Sequence, residues 1–85
     1  MYWDVVSVKP EENFTLHVKF SDGLEGKVRI MPSRLKKEIF QALGDKSYFQ
    51  KVHIDHGVVT WSEELDLAPD AMHDAIKEKG EWILS

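Results

Sequence analysis

The chain has no cysteine among its 85 residues. Disulfides, thiolate zinc sites, iron–sulfur clusters and cysteine nucleophiles are therefore all excluded. The sequence also lacks any apolar run approaching the roughly 20 residues that cross a bilayer. Its first residues, Met1 to Asp4, lack the basic and apolar regions of a signal peptide. We therefore expect a cytoplasmic protein with no membrane contact.

Positive charge is also in short supply. The 11 Lys and Arg residues are outnumbered by 15 Asp and Glu residues, which gives a formal net charge of −4. Nucleic-acid-binding modules usually carry a basic face, so this balance disfavours nucleic acid as the partner. The imbalance lies in the second half of the chain, where only two basic residues accompany eight acidic ones from Val52 onward. An acidic surface of this kind suits a basic partner.

What the chain does contain is typical of a folded domain. Hydrophobic residues make up 42% of it, aromatic residues 11% and charged residues 31%. This is enough apolar and aromatic side chain to offset the entropy lost on ordering, so disorder is not expected. There is no internal repeat, linker or low-complexity tract. The length fits one domain, and we expect a single α+β domain over residues 1–85.

The first part of the chain predicts three strands. The apolar run over residues 3–8 carries apolar residues on both faces, which is typical of a central strand. A turn is expected over residues 10–13, and the alternation from Phe14 to Phe20 is the clearest strand signal in the sequence. The pair Asp22-Gly23 predicts a hairpin, because both residues tolerate positive φ. In the third strand, Gly26 predicts a bulge or a close approach of another backbone.

Two helices are predicted by capping residues and helical spacing. Ser33 is the expected N-cap of the first, and Gly44 ends it. Pro69 belongs in the first turn of the second helix, and Gly80 ends that one. The apolar stripes are Leu35, Ile39, Phe40 and Leu43 in the first helix, and Met72, Ala75 and Ile76 in the second.

Two further strands are expected between the helices, over residues 52–55 and 58–61, with a loop over 62–68. The predicted order is therefore β-β-β-α-β-β-α. This order indicates an α+β fold with a mostly antiparallel sheet and two helices packed on it. The apolar tail over residues 81–85 is expected to dock on the body of the domain or on a partner.

Several segments of the chain resemble a small bacterial family catalogued as domain of unknown function 2442. They are Phe40–Asp45, Tyr48–Phe49, Val52–Asp55, Gly57–Trp61 and Asp66–Asp70. The combination of Trp61 with Asp66-Leu67-Ala68-Pro69-Asp70 is the most specific of them. The resemblance implies an α+β fold with no established catalytic activity. It also implies a neighbouring small protein as partner, because such pairs have been proposed as toxin–antitoxin systems.

Few residues suggest chemistry. His53, Asp55 and His56 offer two imidazoles and a carboxylate, which is a set that a divalent metal could use. Nothing in the sequence directs His56 toward the other two, however, so a solvated sheet face is the favoured interpretation and no metal or cofactor is expected. Asp66 and Asp70 flank a helix entry, where a structural role is more common than acid–base catalysis. We therefore expect no enzymatic activity.

The leading interpretation is a small protein-interaction module, antitoxin-like in its relation to a small basic partner. The expected contact residues are the acidic Asp66, Asp70 and Asp74, with Trp82 and Ile83 as apolar anchors. A homodimer through the tail or through an exposed sheet edge is a further expectation. Two alternatives stay open: a small metal- or ligand-binding domain or enzyme using His53–His56, and a transcriptional accessory contacting DNA through basic residues 27–37.

Overall fold

The computed structural model describes residues 3–62 and 65–85. The strands are β1 (Val5–Glu11), β2 (Thr15–Phe20), β3 (Glu25–Ile30), β4 (His53–Asp55), β5 (Val58–Ser62), β6 (Leu65–Leu67) and β7 (Glu81–Leu84). The helices are α1 (Pro32–Leu35), α2 (Lys46–Phe49) and α3 (Pro69–Lys79), and a 3-10 helix covers Glu38–Gly44. The predicted α+β class is confirmed.

The strands form two sheets. One has the order β1-β2-β3-β7 and the other the order β4-β5-β6. All neighbours pair antiparallel except β3 and β7, which are parallel. The apolar tail thus docks on the body of the protein as a strand, which was one of the two expected outcomes. The segment predicted as a loop over 62–68 contains the short strand β6, and its residues 63–64 lie outside the described residues.

The prediction that the first strand is central is wrong, because β1 lies at an edge with β2 as its neighbour. Its pairing with β2 shifts between Val5 and Ser7, which leaves Val6 56% exposed while Val5 is buried. The strand also runs further than expected, through Pro10 to Glu11. Proline is tolerated there because an edge strand has one side that needs no ladder hydrogen bond.

Three aromatic side chains that pack in a row connect the turn after β1 to the second sheet. Phe14 has a left-handed backbone with φ of 52°, and its ring packs edge-on against Phe49 with 5.5 Å between centroids. Phe49 in turn packs on Trp61, whose indole N–H donates to the Phe49 carbonyl at 2.9 Å. A non-glycine residue at this φ costs roughly 1–2 kcal/mol, and burial of the aromatic rings offsets that strain.

Helix α3 packs on the four-stranded sheet by the expected stripe, with Met72 and Ile76 buried. The close approach predicted at Gly26 is confirmed. A Cβ at this position would overlap Ile76 Cγ2 and would lie 2.8 Å from the Gly80 carbonyl oxygen. The alternative of a bulge at Gly26 is not what occurs, because the β2–β3 register runs through Val18↔Gly26 without a shift.

A second contact fastens α3 to the β2–β3 hairpin. His73 is 2% exposed, and its Nε2 lies 2.8 Å from Asp22 Oδ2. Asp22 Oδ1 accepts a hydrogen bond from the Leu24 N–H at 3.0 Å, within the predicted hairpin turn. The hydrogen bond from the Leu24 N–H, and to a smaller extent the one with His73, holds the pKa of the Asp22 carboxyl below its usual range. The His73 ring also packs edge-on against Phe20, 4.9 Å between centroids.

The first predicted helix is broken into α1 and the 3-10 helix. Met31, not Ser33, holds the N-cap position of α1, and Lys37 separates the two segments with extended backbone. A continuous helix would place the whole apolar stripe on one face, but here Leu43 is buried while Ile39 stays 51% exposed. Tertiary packing of Leu43 overrides the helical periodicity. In the described residues, no helix is long and apolar enough to cross a membrane.

We expect Gly26→Ala to lower the free energy of unfolding by about 1–3 kcal/mol, because the added methyl overpacks the contact with Ile76 and the Gly80 backbone. Gly44→Ala is the matched control, since a Cβ there meets nothing within 4 Å. It should leave stability unchanged or raise it by up to about 1 kcal/mol. Urea unfolding followed by tryptophan fluorescence measures both. Equal effects of the two changes would contradict the close packing.

The depressed pKa of Asp22 predicts a loss of stability in acid. Because the folded-state pKa lies below the unfolded value of about 4, the stabilisation is fully present above that value. It is lost as pH falls toward the folded-state pKa. We expect the free energy of unfolding of Asp22→Asn to depend less on pH than that of the wild type in this range. Urea titrations at a series of acidic pH values test this, and identical pH slopes would refute it.

Candidate protein-interaction surface

The end of α3 fixes where β7 begins. Gly80 takes a left-handed conformation with φ of 80°, and its N–H donates to the Ile76 carbonyl at 2.7 Å. The chain then reverses and runs parallel to β3. The paired residues are Lys27↔Glu81, Val28↔Trp82, Arg29↔Ile83 and Ile30↔Leu84. This register places the tail predicted to carry the apolar anchors at an edge of the four-stranded sheet.

Side chains along β7 alternate between the two faces of the sheet. Leu84 is buried, and Trp82 is half-buried against the core. On the opposite face, beside Arg29, Ile83 is 50% exposed. The sequence predicts both Trp82 and Ile83 as apolar anchors, whereas the structure places them on opposite faces of the sheet. Trp82 contributes to the core, and Ile83 presents an apolar side chain to solvent.

The main chain of β7 also has one free side. The Leu84 carbonyl accepts a hydrogen bond from the Met31 N–H at 2.8 Å, which turns the Leu84 backbone groups toward β3. Backbone groups alternate in direction along a strand, so the N–H and C=O of Ile83 point away from β3. In the part of the chain that the structure describes, no strand lies beyond β7. The Ile83 donor and acceptor therefore form an open sheet edge.

Ion pairs engage two of the five basic residues in segment 27–37. On the face of the sheet that carries Ile83, Arg29 Nε bonds Glu81, and Lys27 Nζ lies 3.3 Å from a Glu11 carboxylate oxygen. The Arg34 guanidinium stacks over the Phe40 ring, 5.2 Å from its centroid. Three of the five basic residues in segment 27–37 are thus engaged within the protein. Fewer free cations are therefore left at this surface than the sequence suggests.

The acidic residues expected at the site divide into two groups. Asp70 and Asp74 are both exposed on α3, four residues apart, so they lie on one stripe of the helix. Asp70 also accepts a hydrogen bond from the Ala71 N–H at 2.9 Å, in keeping with a role at the helix start. Asp66 lies elsewhere, on β6, where it is exposed and pairs in register with Thr60. Sequence reasoning could not foresee this separation.

The histidine cluster lies on the open face of the three-stranded sheet. His53 and Asp55 share this face, as predicted, and they line a groove of about 450 Å³ together with Asp66. His56 Nδ1 pairs with Asp55 Oδ1 at 2.7 Å, and His53 Nδ1 lies 3.0 Å from the Lys51 carbonyl oxygen. Within residues 3–62 and 65–85, no three His, Asp or Glu side chains are grouped so that they could hold a metal ion.

Comparison with known proteins places the chain in a family. The model of the family described as protein of unknown function (DUF2442) matches residues 5–78, and the chain belongs to this family. The matched range extends from β1 into α3 and ends before β7. No curated protein and no solved structure matches the chain.

Replacing the two apolar residues of β7 should separate their roles. We expect Trp82→Ala to lower the free energy of unfolding by about 2 kcal/mol, since a half-buried ring is lost from the core. We expect Ile83→Ala to change it by less than about 0.5 kcal/mol, because half of that side chain is already in water. Urea unfolding measures both, and a larger cost for Ile83→Ala would show that Ile83 is part of the core.

Proposed function

We propose that this member of the DUF2442 family is a non-catalytic protein-interaction module that accepts an extended strand of a partner at the edge of β7. The observation that carries the proposal is the open backbone of Ile83 beside its exposed side chain. Strand addition of this kind draws affinity from main-chain hydrogen bonds and specificity from alternate side chains. Ile83 would contact the partner on one face of the sheet and Trp82 on the other.

The contrast between the two edges of the four-stranded sheet supports this choice. Edge strand β1 contains Pro10 and an irregular register near Val5. The Val5 N–H donates to the Gly57 carbonyl, in the turn between β4 and β5, at 2.9 Å. These features block the pairing of a further strand. Edge strand β7 has no proline, and its register with β3 shows no shift. One edge is therefore protected, and the other is left free.

Charge favours a basic partner. The net charge is −4, and the exposed stripe of α3 carries Asp70 and Asp74. Negative charge on an exposed surface raises the association rate of a positively charged protein without requiring direct contact by each carboxylate. A small basic toxin fits this description, so the specific form of the proposal is an antitoxin-like protein that neutralises such a partner.

Affinity capture from the native cell lysate, with nuclease added, tests the proposal. Three baits are compared by mass spectrometry: the wild type, Ile83→Pro and Val6→Lys. Ile83→Pro removes the outward N–H but none of the bonds between β7 and β3. Val6→Lys removes an equally exposed apolar side chain from the protected edge. We expect one small basic protein with the wild type and Val6→Lys, and a strong reduction with Ile83→Pro.

The baits must first show the same circular dichroism spectrum, so that a lost partner reports on the edge and not on unfolding. Equal recovery of the partner by all three baits would place the binding surface away from β7. Recovery of no protein by the folded wild type would count against the interaction module itself.

A further inference from the structure

We infer that two copies of this chain pair through β7, antiparallel about a two-fold axis at Ile83, so that their four-stranded sheets join into one continuous sheet. The inference rests on the proposed function, because it uses the same open edge. It adds a regulatory consequence: a second copy covers the edge until a partner strand replaces it.

The direction of the backbone groups permits this pairing. In an antiparallel ladder, two residues that face each other with outward N–H and C=O groups exchange two hydrogen bonds. Ile83 has this orientation, because the Leu84 carbonyl is turned toward β3 by its bond from the Met31 N–H. A two-fold axis at Ile83 therefore places the Ile83 residues of the two copies opposite each other and satisfies the donor and the acceptor of both.

The side chains select this register over its neighbour. With the axis at Ile83, two exposed isoleucine side chains cover each other on one face. On the other face, Trp82 lies opposite Leu84 of the second copy, which extends the apolar face of the sheet across the junction. An axis at Trp82 would instead place the Glu81 carboxylate opposite Ile83. That arrangement loses the contact between the two Ile83 side chains and places a carboxylate against each of them instead.

The pairing brings the Glu81 side chain of each copy to the junction. In the register centred on Ile83, the Glu81 side chain lies opposite the Ser85 side chain of the second copy. Glu81 is neutralised by Arg29 of its own chain. Like charges directly opposite destabilise a strand pair, and in this register the two Glu81 side chains do not face each other.

The short length of β7 sets the strength of the association. The strand has four residues, and an edge of this size buries less surface than the roughly 1,200–2,000 Å² of a stable complex. The pairing is therefore weak and concentration-dependent. Two copies dissociate readily, which leaves the edge accessible to a partner that makes additional contacts elsewhere.

Sedimentation equilibrium over a range from low micromolar to near-millimolar concentration tests the inference. We expect the average mass of the wild type to rise from 9.8 kDa toward twice that value. Val6→Lys should behave in the same way, whereas Ile83→Pro and Ile83→Lys should stay at the monomer mass. Ile83→Lys is included because it leaves the backbone free to form the strand while placing two like charges opposite each other. A wild type that stays monomeric throughout, or an Ile83→Lys variant that dimerises equally, would overturn the inference.

Amide hydrogen exchange provides a second measurement. The Ile83 amide should exchange more slowly as the protein concentration is raised, whereas the Trp82 amide, which faces β3, should not respond. If the wild type stays monomeric but captures a partner that the Ile83→Pro variant does not, self-pairing is overturned and the proposed function stands. A dimer that captures no partner would do the reverse.

Discussion

The close approach of α3 to β3 at Gly26 is the constraint on which the rest of the structure depends. Only a residue without a Cβ fits beneath Ile76 and the Gly80 carbonyl. Because this contact holds the end of α3 directly against β3, the chain that leaves Gly80 is already beside β3 and can pair with it in parallel. The location of β7, the burial of Leu84 and the open side of Ile83 all follow from that starting point. A small residue inside a strand thus decides where the exposed edge of the sheet will be.

The contact between His73 and Asp22 supports the same packing about one turn earlier on α3, at the hairpin that leads into β3. It connects α3 to the β2–β3 turn, so the helix is held at Gly26 and again at Asp22. A buried imidazole needs a hydrogen-bonding partner to offset its desolvation, and the hairpin supplies one whose other carboxylate oxygen is already bound to the Leu24 N–H. The hairpin turn and the helix packing are therefore coupled, and both position β3 as the neighbour of β7.

Local signals predicted those parts of the fold that depend on neighbouring residues. The alternation of Phe14–Phe20, the Asp22-Gly23 turn and the limits of α3 at Pro69 and Gly80 each have a cause within a few residues of chain. Strands β6 and β7 have three and four residues and gain stability from pairing with distant segments, which periodicity does not show. The same holds for the site. Sequence composition pointed to Trp82 and Ile83, but their division between core and edge required the register with β3.

The two edges of the four-stranded sheet together limit how many copies of the chain can associate through it. A sheet with two free edges can add copies without end, because each added copy presents another edge. Here Pro10, the irregular register near Val5 and the bond to Gly57 close the edge at β1. A two-fold pairing at β7 uses the remaining open edge of both copies at once. The proposed association through β7 therefore stops at two chains, and the protected edge at β1 leaves β7 as the open edge of this sheet.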